Sequence, residues 1–127
     1  MNSFLLVGLG GALGAMGRFG MTEAVARLWR HDFPLGTLLV NVVGSVLMGA
    51  LMAALSRFAP GWSEDARLFL AVGILGGFTT FSSFSLESVR MIENGQFGAA
   101  ASYVLLSVVI CLAGLYLGAL IVRIGGT

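Results

Sequence analysis

Four long apolar segments separated by short charged connections are the feature that most restricts how this chain can fold. The segments run from about Phe4 to Val25, Pro34 to Leu55, Arg67 to Met91 and Phe97 to Val122. Each reaches or exceeds the roughly 20 residues that a membrane-spanning helix needs. Because lipid offers no partner for an exposed backbone N–H or C=O group, such segments must be helical. The sequence therefore predicts an all-α membrane protein with four transmembrane helices in a single domain covering residues 1–127.

The composition agrees with burial in a bilayer. Hydrophobic residues make up 57% of the chain and charged residues only 10%, whereas about 25% is usual in soluble domains. The formal net charge is +1, which argues against nucleic-acid binding because that requires clustered basic residues. The N-terminal segment lacks the positive flank of a signal peptide, so we expect it to remain as the first span. We expect a multi-pass protein of the cytoplasmic (inner) membrane, surrounded by lipid.

Arginines near the ends of the spans are divided equally between the two sides of the membrane. The side that holds the N-terminus carries Arg57, Arg67 and Arg123, and the opposite side carries Arg27, Arg30 and Arg90. An excess of positive charge normally sets the orientation of a membrane protein. The equal division predicts that both orientations are made and pair as an antiparallel, dual-topology homodimer. The alternative is that other signals specify one orientation weakly.

The third span contains a sequence that is poorly suited to a continuous helix. It reads Gly76-Gly77-Phe78-Thr79-Thr80-Phe81-Ser82-Ser83-Phe84-Ser85. Glycine costs backbone entropy in a helix, and Ser and Thr side chains compete for backbone hydrogen bonds. We predict a broken third helix, with the released backbone groups satisfied by protein, water or an ion. The alternative is that the hydroxyls bond back to their own helix, which then continues.

Several side chains in the spans could hold a small anion. The rings of Phe78, Phe81 and Phe84 recur every third residue, and although such rings usually only pack, their positive edges could face an anion. Asn41 could donate two N–H groups or join helices. Three further donors, Tyr103, Ser107 and Cys111, lie on one face of the fourth span. Arg18 lies within the first span, and Glu87 lies at the end of the third, where it could instead pair with Arg90.

Glycines at helical spacing predict close packing between the spans. The pairs are Gly10 with Gly14, Gly73 with Gly77, and Gly114 with Gly118. Helices in lipid associate largely through van der Waals packing, and small residues allow their backbones to approach. We expect these pairs to lie at helix–helix contacts, which leaves little room for a large substrate inside one subunit.

The third-span motif resembles that of a known family, the Fluc (CrcB) fluoride channels. Beyond the string from Gly76 to Ser85, the resemblance rests on Gly36-Thr37 followed by Asn41 and Gly44, and on a glycine-rich first helix that ends in Gly17-Arg18. It covers essentially the whole chain. It implies a fluoride-selective channel formed by an antiparallel homodimer with two pores.

The resemblance also implies roles for individual residues. Phe81 and Phe84 would be the ring pair along the fluoride path, with Asn41 reaching toward the same ions. The backbone carbonyls of Gly76 and Thr79 would hold a structural sodium ion at the centre of the dimer. The polar side chains along the path would be Ser83, Tyr103, Ser107 and Cys111, with Thr37 and Glu87 nearer the pore ends. Ser83 stands where many relatives have threonine, and Cys111 stands where some have serine, although a thiol is a weaker donor than a hydroxyl.

Two other functions remain open from the residues themselves. A proton-coupled multidrug exporter would need a carboxylate deep in the membrane, whereas Glu23 and Glu87 lie near the ends of their spans. An assembly or anchor subunit would need only the glycine faces. No nucleophile–base pair, phosphate loop or carboxylate dyad is present in the sequence, so we predict that the chain is not an enzyme.

Overall fold

The computed structural model describes residues 2–58, 61 and 63–125, and every element of regular structure in this part of the chain is a helix. The first two spans are α1 (Ser3–Leu28) and α2 (Leu35–Phe58). The third span consists of α3 (Ser63–Ala66), a π-helix (Arg67–Leu75), α4 (Gly76–Phe78) and α5 (Phe81–Glu93). The fourth span is α6 (Phe97–Gly125).

Four helical stretches are long and apolar enough to cross a membrane, which confirms the predicted number of spans. They are Ser3–Leu28, Leu35–Phe58, Glu64–Glu93 and Phe97–Gly125. All four extend beyond the predicted limits. In three of them the last turn, which carries Arg27, Arg57 or Arg123, remains helical. An arginine is favourable there, since the carbonyl end of a helix carries partial negative charge.

The glycine pairs lie at helix contacts, as predicted. Gly14 of α1 faces the third span so closely that an added Cβ atom would overlap the carbonyl oxygen of Ile74. A Cβ on Gly77 would lie 2.6 Å from the carbonyl oxygen of Gly11. Between α2 and α6, a Cβ on Gly118 would overlap the carbonyl oxygen of Val46. These contacts join α1 to the first half of the third span, and α2 to α6.

Few large side chains are fully buried in one chain. The largest are Tyr103 and Val40, both 0% exposed, and Tyr103 packs with Leu38, Met91 and Ala100. Many large apolar side chains point outward instead, as Leu112 does with 69% of its surface exposed. An outer surface of this kind suits lipid, where apolar side chains face hydrocarbon rather than water.

The predicted break in the third span is confirmed, and the alternative of a continuous helix is wrong. The backbone is extended at Thr79 (φ −85°, ψ 158°) and at Thr80 (φ −150°, ψ 115°). Helical geometry resumes at Phe81, with Thr80 as the N-cap of α5. The π-helix before the break was not predicted. Such wide turns are rare and often occur near functional sites.

Candidate functional site

Asn41 of α2 pairs with both backbone groups of Thr80 at the break. Its Nδ2 donates to the Thr80 carbonyl at 3.1 Å, and its Oδ1 accepts from the Thr80 N–H at 2.8 Å. An amide presents a donor and an acceptor side by side, so a single side chain can satisfy an extended residue in this way. Asn41 therefore bonds to the break between the two halves of the third span.

Two carbonyls beside the break lose their usual partners. In a continuous α-helix the Gly76 carbonyl would accept from the N–H of Thr80, and the Thr79 carbonyl from the N–H of Ser83. The Thr80 N–H donates to Asn41 instead, and the Ser83 N–H donates to Thr80 Oγ1 at 3.2 Å. The donors expected for these two carbonyls are thus diverted to side chains.

Arg18 also reaches the break. It is partly buried on α1, and its Nε donates to the Gly77 carbonyl at 3.1 Å. This bond places a guanidinium group beside the interrupted part of the third span, at a carbonyl that the extended backbone leaves without its regular helical donor. Arg18 does not line either of the two cavities described next.

The first of these, called here the inner cavity, lies between the break, α2, α5 and α6. Its volume is about 460 Å³. Six of the sequence-predicted residues line it, namely Asn41, Thr79, Phe81, Phe84, Ser107 and Cys111. Ser107 is 5% exposed, and its Oγ has no hydrogen-bond partner within the described residues. A buried hydroxyl at a cavity wall is a donor available to a bound ligand.

Aromatic rings form a continuous series that begins with Phe81, which lines this cavity and is also exposed at the surface of the chain. The centroids of Phe81 and Phe84 are 5.5 Å apart, and those of Phe84 and Tyr103 are 5.2 Å apart. Tyr103 then meets Phe33 edge to face at 5.6 Å. At the opposite end of the series, Phe81 is 78% exposed in the single chain. The series therefore runs from the surface of the chain, past the inner cavity, to the connection between α1 and α2.

A second cavity, called here the loop-side cavity, lies beside that connection and has a volume of about 500 Å³. Thr37 and Glu87 line it together with residues of the two neighbouring connections. Glu87 accepts a hydrogen bond from Thr37 Oγ1 and another from the Tyr103 hydroxyl, each at 3.1 Å. The alternative ion pair between Glu87 and Arg90 does not form. Tyr103 is buried and lines neither cavity, but its ring touches Phe84 of the inner cavity and its hydroxyl reaches Glu87 of the loop-side cavity.

The structure thus gathers most of the predicted site residues but not all of them. Ser83 lines neither cavity, and its backbone N–H serves the N-cap at Thr80. Neither the backbone role of Thr80 nor the ring contact of Phe33 was predicted. Threonine is a favoured N-cap residue, and this preference could have indicated Thr80. Phe33 carries no local signal of its contact with Tyr103.

Four apolar spans with a polar interruption in the third define a small multi-pass helical membrane protein. Comparison with known proteins gives the family. Residues 5–119 match the family described as CrcB-like protein, Camphor Resistance (CrcB), and the chain belongs to this family.

Relatives from several bacteria are similar over nearly the whole chain. A protein of Cereibacter sphaeroides is 50% identical over 127 residues, covering 97% of this chain and 96% of its own. One from Anaeromyxobacter dehalogenans is 47% identical over 123 residues, covering 97% of each chain. One from Caulobacter vibrioides is 45% identical over 123 residues, again covering 97% of each. All three are named fluoride-specific ion channel FluC, in agreement with the prediction that this chain is not an enzyme.

Proposed function

We propose that this chain is a fluoride-selective channel that lets fluoride leave the cell passively across the cytoplasmic membrane. Membership of the CrcB family and the names of the relatives support this function. The observation that carries it is the inner cavity, where the Asn41 amide, the rings of Phe81 and Phe84, and the buried hydroxyl of Ser107 line one small space. Hydrogen-bond donors and ring edges, without a fixed cation, suit a small anion that must be bound and then released.

Selectivity for fluoride follows from the kind of donors in this cavity. An amide nitrogen carries two N–H groups, and Asn41 uses one of them for the Thr80 carbonyl. The other N–H and the Ser107 hydroxyl replace part of the hydration shell of the ion. The positive edges of Phe81 and Phe84 attract an anion weakly and occupy space that the larger chloride would need. Binding is then strong enough to admit fluoride and weak enough to let it leave.

The proposed path continues through Tyr103 to the loop-side cavity. The Tyr103 and Thr37 hydroxyls both donate to Glu87, so each can turn toward a passing anion and then return. These two bonds also disperse the negative charge of the carboxylate, which would otherwise repel fluoride. Ser83 adds a hydroxyl beside the break, and Arg18 adds positive charge at the Gly77 carbonyl.

We further propose that the channel is an antiparallel homodimer with two pores. The equal division of arginines between the two sides of the membrane supports both orientations. In a single chain Phe81 is 78% exposed although it borders the inner cavity. A second copy would cover this ring and supply the wall that one chain leaves open.

A structural sodium ion at the dimer centre is compatible with the backbone carbonyl oxygens at the break. Carbonyl oxygens of an interrupted membrane helix are suitable ligands for Na⁺. The carbonyls of Gly76 and Thr79 would hold it. The N–H groups that would bond to them in a continuous helix donate instead to the side chains of Asn41 and Thr80. When bound, the ion would supply positive charge that keeps these carbonyls together. The chain itself holds the carbonyls in place through the Asn41 bonds and through Arg18 at Gly77.

Fluoride efflux from liposomes containing the purified protein tests the proposed function. We expect rapid loss of fluoride, followed with a fluoride electrode, and little loss of chloride from matched liposomes. Phe81→Ile and Phe84→Ile should each slow the efflux while the protein elutes at the wild-type position in size-exclusion chromatography. Absence of fluoride efflux from well-folded protein would reject the channel, and full efflux in both variants would reject the role of the rings.

A further inference from the structure

The side chain of Trp29 spans the short connection between α1 and α2. Trp29 is the first residue after α1, and its backbone N–H donates to the Val25 carbonyl at 2.7 Å. Its indole Nε1 donates to the Phe33 carbonyl at 3.1 Å, four residues further along the chain. This bond bridges the bend at residues 31–33 and joins the end of α1 to the residue that precedes Pro34.

The Phe33 carbonyl is held by donors on both sides of it in the chain. Besides the indole of Trp29, it accepts the backbone N–H of Leu35 at 2.8 Å, where α2 begins. The residue before a proline is restricted to extended backbone conformations, so Phe33 has few other arrangements available. Because the peptide unit is planar and rigid, fixing this carbonyl also fixes the direction in which the Phe33 side chain leaves the backbone.

The ring of Phe33 ends the aromatic series that runs past the inner cavity. It is partly buried and meets Tyr103 edge to face, with 5.6 Å between the centroids and 84° between the ring planes. Such a pair is stabilised by the positive edge of one ring on the negative face of the other, so its energy depends on the mutual orientation. Tyr103 also touches Phe84 at 5.2 Å and donates to Glu87 at 3.1 Å. The placement of Tyr103 therefore depends on Phe33 as well as on Phe84.

We infer that Trp29 is a positioning residue for the passage of fluoride: through its bond to the Phe33 carbonyl, it holds the Phe33 ring against Tyr103. The inference rests on the proposed function, because Tyr103 belongs to the proposed path between the two cavities. Trp29 acts without touching the ion, since its indole N–H is engaged by Phe33. A tryptophan at the end of a span also anchors the helix at the membrane surface, but an anchoring role would not involve the Phe33 ring.

Trp29→Phe is the main variant, because it keeps an aromatic ring beside His31 and removes the N–H that bonds to Phe33. The assay is the initial rate of fluoride efflux from liposomes that contain the full chain. Trp29 is 38% exposed, so water competes for the bond and its contribution is modest. We expect the rate to fall about two- to fivefold, which corresponds to the loss of one such hydrogen bond. Benzothienylalanine at position 29, which has the shape of tryptophan but sulfur in place of the N–H, should give the same decrease.

A double-mutant cycle with Phe33→Leu separates positioning from anchoring. Phe33→Leu removes the ring contact with Tyr103 and leaves the backbone carbonyl that Trp29 uses. We expect Trp29→Phe to slow efflux in the otherwise wild-type protein and to add no further decrease in the Phe33→Leu protein. Leu28→Ala is the matched control, since Leu28 is the adjacent residue, is 88% exposed and supplies apolar surface at the same helix end. It should leave the rate unchanged.

Three results would overturn the inference and leave the channel function intact. Wild-type efflux with Trp29→Phe or with benzothienylalanine would show that the N–H is not needed. The same decrease with and without the Phe33 ring would show that Trp29 does not act through that ring. An equal decrease in Leu28→Ala would indicate a general effect at the end of α1. Absence of fluoride efflux from the wild-type protein is a different outcome, because it rejects the proposed function and this inference with it.

Discussion

Replacing Asn41 separates its structural role at the break from its proposed role as a fluoride donor. Asn41→Leu keeps the size of the side chain but removes both hydrogen bonds to Thr80. A side-chain hydrogen bond between spans is worth about 0.6 kcal/mol on average and about 1.7 kcal/mol at most. Where the Thr80 N–H or C=O stays buried without a partner, the cost of losing that bond is instead about 1–3 kcal/mol. We expect the free energy of unfolding to fall by about 2–4 kcal/mol.

The assay is unfolding by sodium dodecyl sulfate in mixed micelles, followed by helical circular dichroism. Ser45→Ala is the control for stability, because Ser45 lies one turn further along the same helix and lines the same cavity. We expect it to change stability by less than about 0.5 kcal/mol, as is usual where no bond is lost. A change that small in Asn41→Leu would refute the argument that Asn41 stabilises the break.

Asn41→Asp tests the donor role. The carboxylate can still accept from the Thr80 N–H, but it donates no hydrogen bond and adds negative charge to the inner cavity. We expect it to conduct little fluoride in the liposome assay. Wild-type fluoride efflux in Asn41→Asp would mean that the amide is not a ligand of the ion.

Three further predictions concern other parts of the molecule. Tyr103→Phe keeps the ring contacts with Phe84 and Phe33 but removes the hydrogen bond to Glu87, so fluoride efflux should fall while the free energy of unfolding drops by only about 1 kcal/mol. Unchanged efflux would exclude this hydroxyl from the path. Gly14→Ala should lower the free energy of unfolding by about 1–3 kcal/mol, because the added Cβ would overlap the Ile74 carbonyl. Gly8→Ala, whose Cβ would meet no atom within 4 Å, should not lower it, and equal effects of the two variants would argue against the close contact. Cys111→Ser should raise the initial rate of fluoride efflux, since a hydroxyl is a stronger donor than a thiol, and a slower rate would show that the thiol is preferred at this position.

The features that could be predicted from the sequence are those with a local physical cause. Four spans follow from the length of the apolar segments. The break follows from glycines and from Ser and Thr residues in the middle of the third span, because both disfavour a helix interior. The glycine pairs predicted several close contacts because only glycine tolerates such an approach, although Gly49, which was not among them, lies closest of all, against the Leu115 carbonyl. Asn41 was a candidate because an amide in hydrocarbon requires a partner.

The features that were missed depend on residues far apart in the sequence or on the backbone alone. Nothing local shows that Glu87 meets Thr37, 50 residues earlier, rather than the nearby Arg90. Arg18 bonds to a backbone carbonyl, which has no sequence signature. The π-helix from Arg67 to Leu75 carries ordinary apolar side chains, and its different hydrogen-bond spacing shifts the faces that an α-helical pattern would assign.

The two halves of the third span are attached to different neighbours, and this arrangement restricts how the sequence can change during evolution. The π-helix and α4 pack on α1 through backbone contacts such as Gly10 with Gly73, whereas α5 packs on α6. A larger residue at Gly10 has no compensating change available at Gly73, because neither position has a side chain to shorten. Substitutions in α5 can instead be balanced by side chains of α6. The first half should therefore change little among descendants of this chain, while α5 and α6 change together.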